Sequence, residues 1–298
     1  MILVPKLPRK VQFVLDFSFP LVSRVCQKTH KELFVGGRKG YDKEMLFSWL
    51  LVKKVTNWDY RTIADMAGIS HPTLMRANDL FLRKGVYEKV FSSLVKRAYK
   101  QKLLKANTVA MDSSFVHTFS RKGELGSEGW NGFKEAYGFK LHLLMDTETK
   151  LPVSLQITNG LAADCTLAIP LLKKGKSMLK NCAYVLADKG YDDQDIVKWV
   201  NHELKAKAGI PMRRKSRLAK GKKNRYGNLL NWLLKARGRT FKHSIYNKRT
   251  AVERIFSVLK RTYHLGHEET RGIVAFAKNV YLSLICYTLK FFNNRLSI

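Results

Sequence analysis

The hydrophobic period of the chain changes once, and that change constrains the fold more than any other feature. Residues 41–105 repeat apolar side chains at helical spacing, whereas from Thr108 onward short apolar and alternating runs predict strands. No internal repeat, low-complexity tract or Pro/Gly linker marks the boundary, so the pattern itself places it near Lys105. The expectation is a helical region over residues 1–105 and an α/β region over 106–298. Of the 298 residues 45% are apolar, enough to build a real core in both.

Within the helical region, "YRTIADMAGISHPTLMRANDLFLRK" (60–84) sets Ile63, Met66 and Ile69 before Leu74 and Met75, with Gly68 as the turn and Ser70 as a cap. This is the layout of a helix-turn-helix over about residues 58–84. Its second helix, about 71–83, would present His71, Thr73, Arg76 and Asn78 to a DNA groove. An ordinary helical hairpin has the same pattern. The second region reads as strands at 107–115, 136–146 and 151–160, a helix from Asp164, a buried strand in 182–192, a helix from Asp193, a fifth strand at 208–212 and a helix over 244–261. That order predicts a mixed five-stranded sheet with helices on its faces.

Charge narrows the partner. The balance of 55 Lys and Arg against 23 Asp and Glu leaves +32 on a folded body, which calls for a polyanion such as nucleic acid. The most apolar stretch, 273–292, carries Lys278, Asn279 and Lys290 and reads as a buried helix, not a bilayer span. "MILVPKLPRKVQF" has no apolar core of secretory length, so a cytoplasmic, nucleoid-associated protein is expected, with no membrane partner. Cys26, Cys165, Cys182 and Cys286 form no C-x-x-C pair and read as core residues. His264, His267 and Glu268 read as a surface turn.

Against this basic background a few carboxylates need a reason. Asp112 and Asp188 each end an apolar run, and strands that neighbour each other would bring the two together at one sheet edge, where they repel unless a cation intervenes. Asp192, Asp193 and Asp195 start a helix and suit its dipole. Glu253 is the only carboxylate between Lys205 and Arg261. Counted at about 100° per residue from Tyr246, Arg249, Glu253 and Lys260 share with it a face about 60° wide, beside the apolar Val252, Ile255, Phe256 and Leu259. Alone, Glu253 reads as half of a surface ion pair with Arg249, and Asp112 as a turn aspartate. Together, the three carboxylates are the oxygen donors of a divalent-cation site for phosphoryl transfer.

"YNKRTAVERIFSVLK" fits Tyr-x2-Arg-x3-Glu-x6-Lys at Tyr246, Arg249, Glu253 and Lys260, and with "AMDSS" and "ADKGYDD" it resembles the signature of the DDE transposases of the insertion sequence 4/5 superfamily. The resemblance spans roughly residues 40–290. It implies a ribonuclease-H-like core, Asp112, Asp188 and Glu253 as a triad holding two Mg²⁺ ions that Mn²⁺ can replace, and Tyr246, Arg249 and Lys260 on DNA phosphates. It also implies cutting and joining of double-stranded DNA at transposon ends and target, by a homodimer assembled on the DNA. "TNGLAADCT" adds Gly160 and Asp164 as secondary positions, Asp164 as a cap. Only 64 residues separate Asp188 from Glu253, where some relatives carry a large β-rich insertion. This segment, a short insertion over about 213–243, holds the basic loop 213–225, whose Arg213 and Arg214 are expected on DNA, and Trp232, read as core. A DNA-binding regulator without catalysis and a plain metal-dependent nuclease are the competing classes.

Overall fold

A computed structural model describes residues 40–118, 128–212, 238–239, 242–268 and 271–296, together with Gln12 and Ser23. Four helices open the described chain: α1 (Lys43–Thr56), α2 (Tyr60–Ala67), α3 (His71–Arg83) and α4 (Val86–Lys100). Their ends follow local chemistry. Asp42 accepts the Glu44 amide at 2.9 Å at the start of α1, and Asp59 accepts those of Arg61 and Thr62, both at 2.8 Å, at the start of α2. Gly68, at φ +67°, closes α2 in the left-handed conformation that suits glycine. Ser70 stands at the start of α3, but its hydroxyl pairs with Thr73 Oγ1 at 2.8 Å instead of a backbone amide. Phe47, Phe81 and Tyr87 meet at centroid distances of 5.3–6.1 Å and centre the helical core.

The sheet is mixed. Its long strands are β1 (Thr108–Thr118), β3 (Ala136–Asp146) and β4 (Pro152–Asn159), with the two-residue β2 (Trp130–Asn131) beside the start of β3. After helix α5 (Asp164–Gly175) come β5 (Tyr184–Leu186), α6 (Gln194–Glu203) and β6 (Lys207–Gly209). The five principal strands lie in the order β4–β3–β1–β5–β6, antiparallel across β4, β3 and β1 and parallel across β1, β5 and β6. A short helix α7 (His243–Tyr246), a 3₁₀ turn (Asn247–Arg249) and α8 (Thr250–Thr262) follow, then β7 (His267–Glu268), which pairs with the end of β1, and α9 (Ile273–Leu296).

Alternation of side chains along β3 shows how the sheet is covered. Phe139 stacks on Phe276 of α9 at 4.8 Å, whereas Leu144, of opposite parity, abuts Gly175 at the end of α5; the two helices therefore lie on opposite faces. Asp112 opposes Leu143 in the β1–β3 register, so it belongs to the face that carries Phe139.

Helix α9 has the length and apolar character to cross a membrane, but over half of that stretch is buried inside the fold. It packs against α1, α3 and α4 as well as β3 and β4, Tyr281 stacks on Tyr87 at 6.4 Å, and Lys278 pairs with Asp79 of α3 at 2.5 Å. One continuous apolar core therefore runs from Leu46 through the sheet to Phe292, across the change of pattern at Lys105.

Candidate active site

The parallel register between β1 and β5 sets two aspartates side by side. Ala110 pairs with Leu186, and Asp112 and Asp188 each stand two residues beyond that pair. Asp112 ends the apolar run but lies in the middle of β1, which continues past the expected end at 115 to Thr118, with β3 pairing as far as His117. Asp188 leaves the sheet and opens a 3₁₀ turn over Lys189–Tyr191, where its Oδ1 accepts the Gly190 amide at 2.7 Å. A Cβ at position 190 would sit 2.7 Å from that oxygen, which is why glycine allows the turn.

The third carboxylate arrives on a helix. Arg249 immediately precedes α8 and Glu253 lies in its first turn, while Val252, Ile255 and Leu259 are buried beneath. The Arg249 guanidinium donates from Nη1 to Asp112 Oδ2 at 3.0 Å and from Nη2 to Glu253 Oε1 at 2.8 Å. The bond to Asp112 is sheltered, with both side chains less than a fifth exposed, whereas Glu253 is 55% exposed and its i,i+4 pair contributes only tenths of a kcal/mol. The Tyr246 ring centroid lies 5.9 Å from the same guanidinium. Lys260 donates from Nζ to the Phe115 carbonyl of β1 at 3.1 Å, locking α8 to the strand. The run over 244–261 is not one helix, since the 3₁₀ turn separates Tyr246 from α8, but all four residues face β1 or one another.

Electrostatics single out Asp112. Burial pushes its pKa up to about 6 against the opposing Ser113 amide and Arg249, and the neighbouring charges of Asp188 and Asp164 push the same way. Tyr191 is fully buried beside these carboxylates, its hydroxyl has no hydrogen-bond partner among the described residues, and burial first, then Asp164, Asp112 and Asp188, raises its pKa well above the ordinary value. Tyr191 lies inside "DKGYDD", where only its place between charged residues marks it in the sequence.

Asp164 is not the expected cap. Ala163 occupies that position, and Asp164 instead accepts Lys140 Nζ at 3.2 Å. His142, pushed down to about 4 by burial, stands beside it and bonds Thr158 Oγ1 through Nε2 at 2.9 Å. Gly160 is required sterically: a Cβ there would lie within 2.9 Å of Gly129 O, Gly138 O and the Phe115 ring. Asp193 caps α6 and Asp195 sits in its first turn, as expected, but Asp192 pairs with buried Arg239 at 2.6 Å. His267 and Glu268 form β7 and not a turn.

The DNA-reading expectation divides on α3. His71 and Arg76 are exposed, but Asn78 is buried: its Nδ2 donates to Tyr60 Oη at 2.6 Å and its Oδ1 accepts from Tyr87 Oη at 2.5 Å. Asn78 is therefore corrected from a groove contact to a core tie. Asn78→Ala, which strands two tyrosine hydroxyls, is expected to lower stability by about 2–4 kcal/mol in a denaturant titration and to leave DNA sequence preference unchanged. The basic loop 213–225, with Arg213 and Arg214, and Trp232 lie outside the described residues.

As a donor set, Asp112, Asp188 and Glu253 suit a hard divalent cation, and the mutual repulsion at buried Asp112 is what a bound cation relieves. Among the described residues no three His, Cys, Asp or Glu side chains converge at metal-binding range. The cation lying between Asp112 and Glu253 is the guanidinium of Arg249.

A mixed sheet in this strand order, flanked by helices, is the ribonuclease-H-like architecture. The family model described as a transposase DDE domain matches residues 104–289, and the chain belongs to that family. No curated protein matches the chain. Among solved structures, the piggyBac transposase in a synaptic complex with hairpin DNA is similar at a TM-score of 0.57 and 12% identity, over 96% of this chain and 75% of that one. The Mos1 strand transfer complex matches over 94% and 96% of the two chains at 11% identity, with a TM-score of 0.25 that is too low to bear on the fold.

Proposed function

We propose that the chain is a metal-dependent DNA transposase that cuts at transposon ends and joins the freed 3′-hydroxyl to target DNA. The observation that carries this reading is the convergence on one guanidinium of Asp112 and Glu253, 141 positions apart, beside Asp188 in matching register. Asp112, Asp188 and Glu253 would hold two Mg²⁺ ions, with Mn²⁺ as an oxygen-preferring substitute. When bound, the ions polarise the scissile phosphate and lower the pKa of the attacking hydroxyl.

The chain's own groups do the rest. Arg249 swings from the carboxylates to a phosphate oxygen, for which its fork is suited. Tyr246, next to it, and Lys260, whose ammonium keeps donors beyond its bond to Phe115, fix the neighbouring phosphates. In the first step water forms a bond to phosphorus and the 3′-oxygen leaves with one of the water's protons, giving a 3′-hydroxyl and a 5′-phosphate; in the second that hydroxyl attacks a target phosphodiester, and its proton passes to the 3′-oxygen it displaces. Both steps conserve charge and need no further reactant. Arg76 on α3 reads bases, the basic loop 213–225 with Arg213 and Arg214 follows the duplex, and two copies assemble on paired ends in the cytoplasm.

The test is incubation of the protein with labelled DNA flanking its coding region, a supercoiled plasmid and Mg²⁺ or Mn²⁺. Label joined to plasmid is expected with either ion. Binding without cleavage, or cleavage without joining, would replace the reading by a regulator or a nuclease. Arg76→Ala is expected to narrow the affinity gap between end and random DNA, in a competition assay, more than it weakens binding to random DNA.

A further inference from the structure

The hairpin joining β2 to β3 exposes aromatic surface in an unusual way. Phe133 at its tip is 90% exposed, Trp130 and Tyr137 are 44% and 37% exposed, and Leu161 beside them is 67% exposed. The tip is held rigidly. Asn131 Oδ1 accepts the amides of Phe133 and Lys134 at 3.1 and 3.0 Å, and its Nδ2 donates to the Gly160 carbonyl at 2.9 Å. Trp130 meets Tyr137 edge to face at 5.0 Å. Such a turn presents a phenyl ring to solvent without letting it collapse onto the core, at the cost of hydrating its whole surface.

Its position gives the ring a use. Lys134 lies over the Phe133 ring at 5.3 Å. The hairpin is tied through Asn131 to Gly160, against which the Phe115 ring packs, and Phe115 is the residue whose carbonyl Lys260 holds. Phe115 stands three residues along β1 from Asp112, or about 10 Å, which is about three nucleotides of a DNA strand. A strand passing from the carboxylates over Lys260 thus meets Lys134 and Phe133 next. A phenyl ring has no hydrogen-bonding atoms and reads no base edge; it offers a face for stacking, and only a base outside the duplex stack offers a face in return.

The geometry points to the β2–β3 hairpin as a stacking platform for an unpaired base near the cleaved end, with Phe133 on the base and Lys134 on its phosphate. This rests on the DNA reading above, and the experiment separates the two. Two labelled duplexes of one arbitrary sequence, one fully paired and one with a short unpaired bubble, are titrated with the full chain at fixed salt and followed by fluorescence anisotropy. The wild type binds the bubble more tightly. Phe133→Ala weakens bubble binding about tenfold and leaves the paired duplex nearly unchanged, while Phe133→Trp keeps the preference. Equal losses on both duplexes, or none, overturn the platform while leaving the DNA reading intact. Failure of the wild type to bind either duplex overturns both. Self-association of the DNA-free chain that Phe133→Ala abolishes, in sedimentation velocity, would make the patch a contact between copies and end the proposal. Phe133 packs on little of the fold, so Phe133→Ala keeps the wild-type melting temperature, which is measured alongside.

Discussion

Asp112→Asn is expected to make the protein inactive and more stable at once. If Asp112 holds the cation as proposed, loss of one oxygen donor removes several kcal/mol of transition-state stabilisation, and strand cleavage is expected to fall by about 10³-fold or more. The stability change has the opposite sign. In the metal-free fold, burial, with Asp188 and Asp164 adding, raises the Asp112 pKa from 3.8 to about 6. A carboxyl whose folded pKa lies above its unfolded one destabilises the fold when ionised. The penalty is fully present above about pH 6 and gone below about pH 4; at about 1.4 kcal/mol per pKa unit it amounts to about 3 kcal/mol. Chemical denaturation with chelator should therefore show Asp112→Asn more stable than wild type by about 2–3 kcal/mol at pH 7.5, and the gap should close as pH falls through 6. A wild type equally stable at both pH values would remove Asp112 from the strained position assigned to it.

Arg249→Ala acts on the same charge from the other side. Asp112 then sits largely buried without its cationic partner, a change that costs about 2–3 kcal/mol at pH 7.5 in metal-free protein. Three results identify that origin. The loss shrinks below pH 6, where Asp112 takes up a proton. It shrinks again in an Asp112→Asn background, as a double-mutant cycle should show for residues in direct contact. Millimolar Mn²⁺ recovers part of it, because an ion that binds only the folded state stabilises that state. On the proposed role of Arg249 at a DNA phosphate, cleavage is expected to fall as well. A loss of stability independent of pH, metal and Asp112 would mean that Arg249 acts through packing alone.

The sequence carried much of this arrangement. The alternating run 136–146 became β3 at those bounds, because each residue from Phe139 to Asp146 packs or pairs in the middle of the sheet. The relation of Asp112 to Asp188 was legible in part, since both end apolar runs, but the parallel pairing of β1 with β5 is what makes those runs neighbours. Other features depend on partners far away in the chain. The strand expected over 107–115 already takes in Ser113 and Ser114, but its continuation to Thr118 rests on the pairing of Val116 and His117 with Phe139 and Gly138. Asn78 looks like a surface residue of an amphipathic helix until Tyr60 and Tyr87 are seen to bracket its amide. Helical counting put Arg249 and Glu253 on one face, but the reach of Arg249 to a strand 137 residues earlier is a tertiary fact. Nor does the pattern change at Lys105 reveal that α9 packs on both of its sides.

That placement of α9 has a consequence for synthesis. Its Phe276, Val280, Leu284 and Phe292 fill space between helices and strands that the ribosome has released more than 110 residues earlier, from α4 back to α1 and across β3 and β4. Until α9 emerges, those elements expose the surfaces it will cover and are open to aggregation and proteolysis. A product stopped before Ile273 should be cleared by the cell instead of persisting as a shortened DNA competitor, so the amount of usable protein is decided only once α9 has been made.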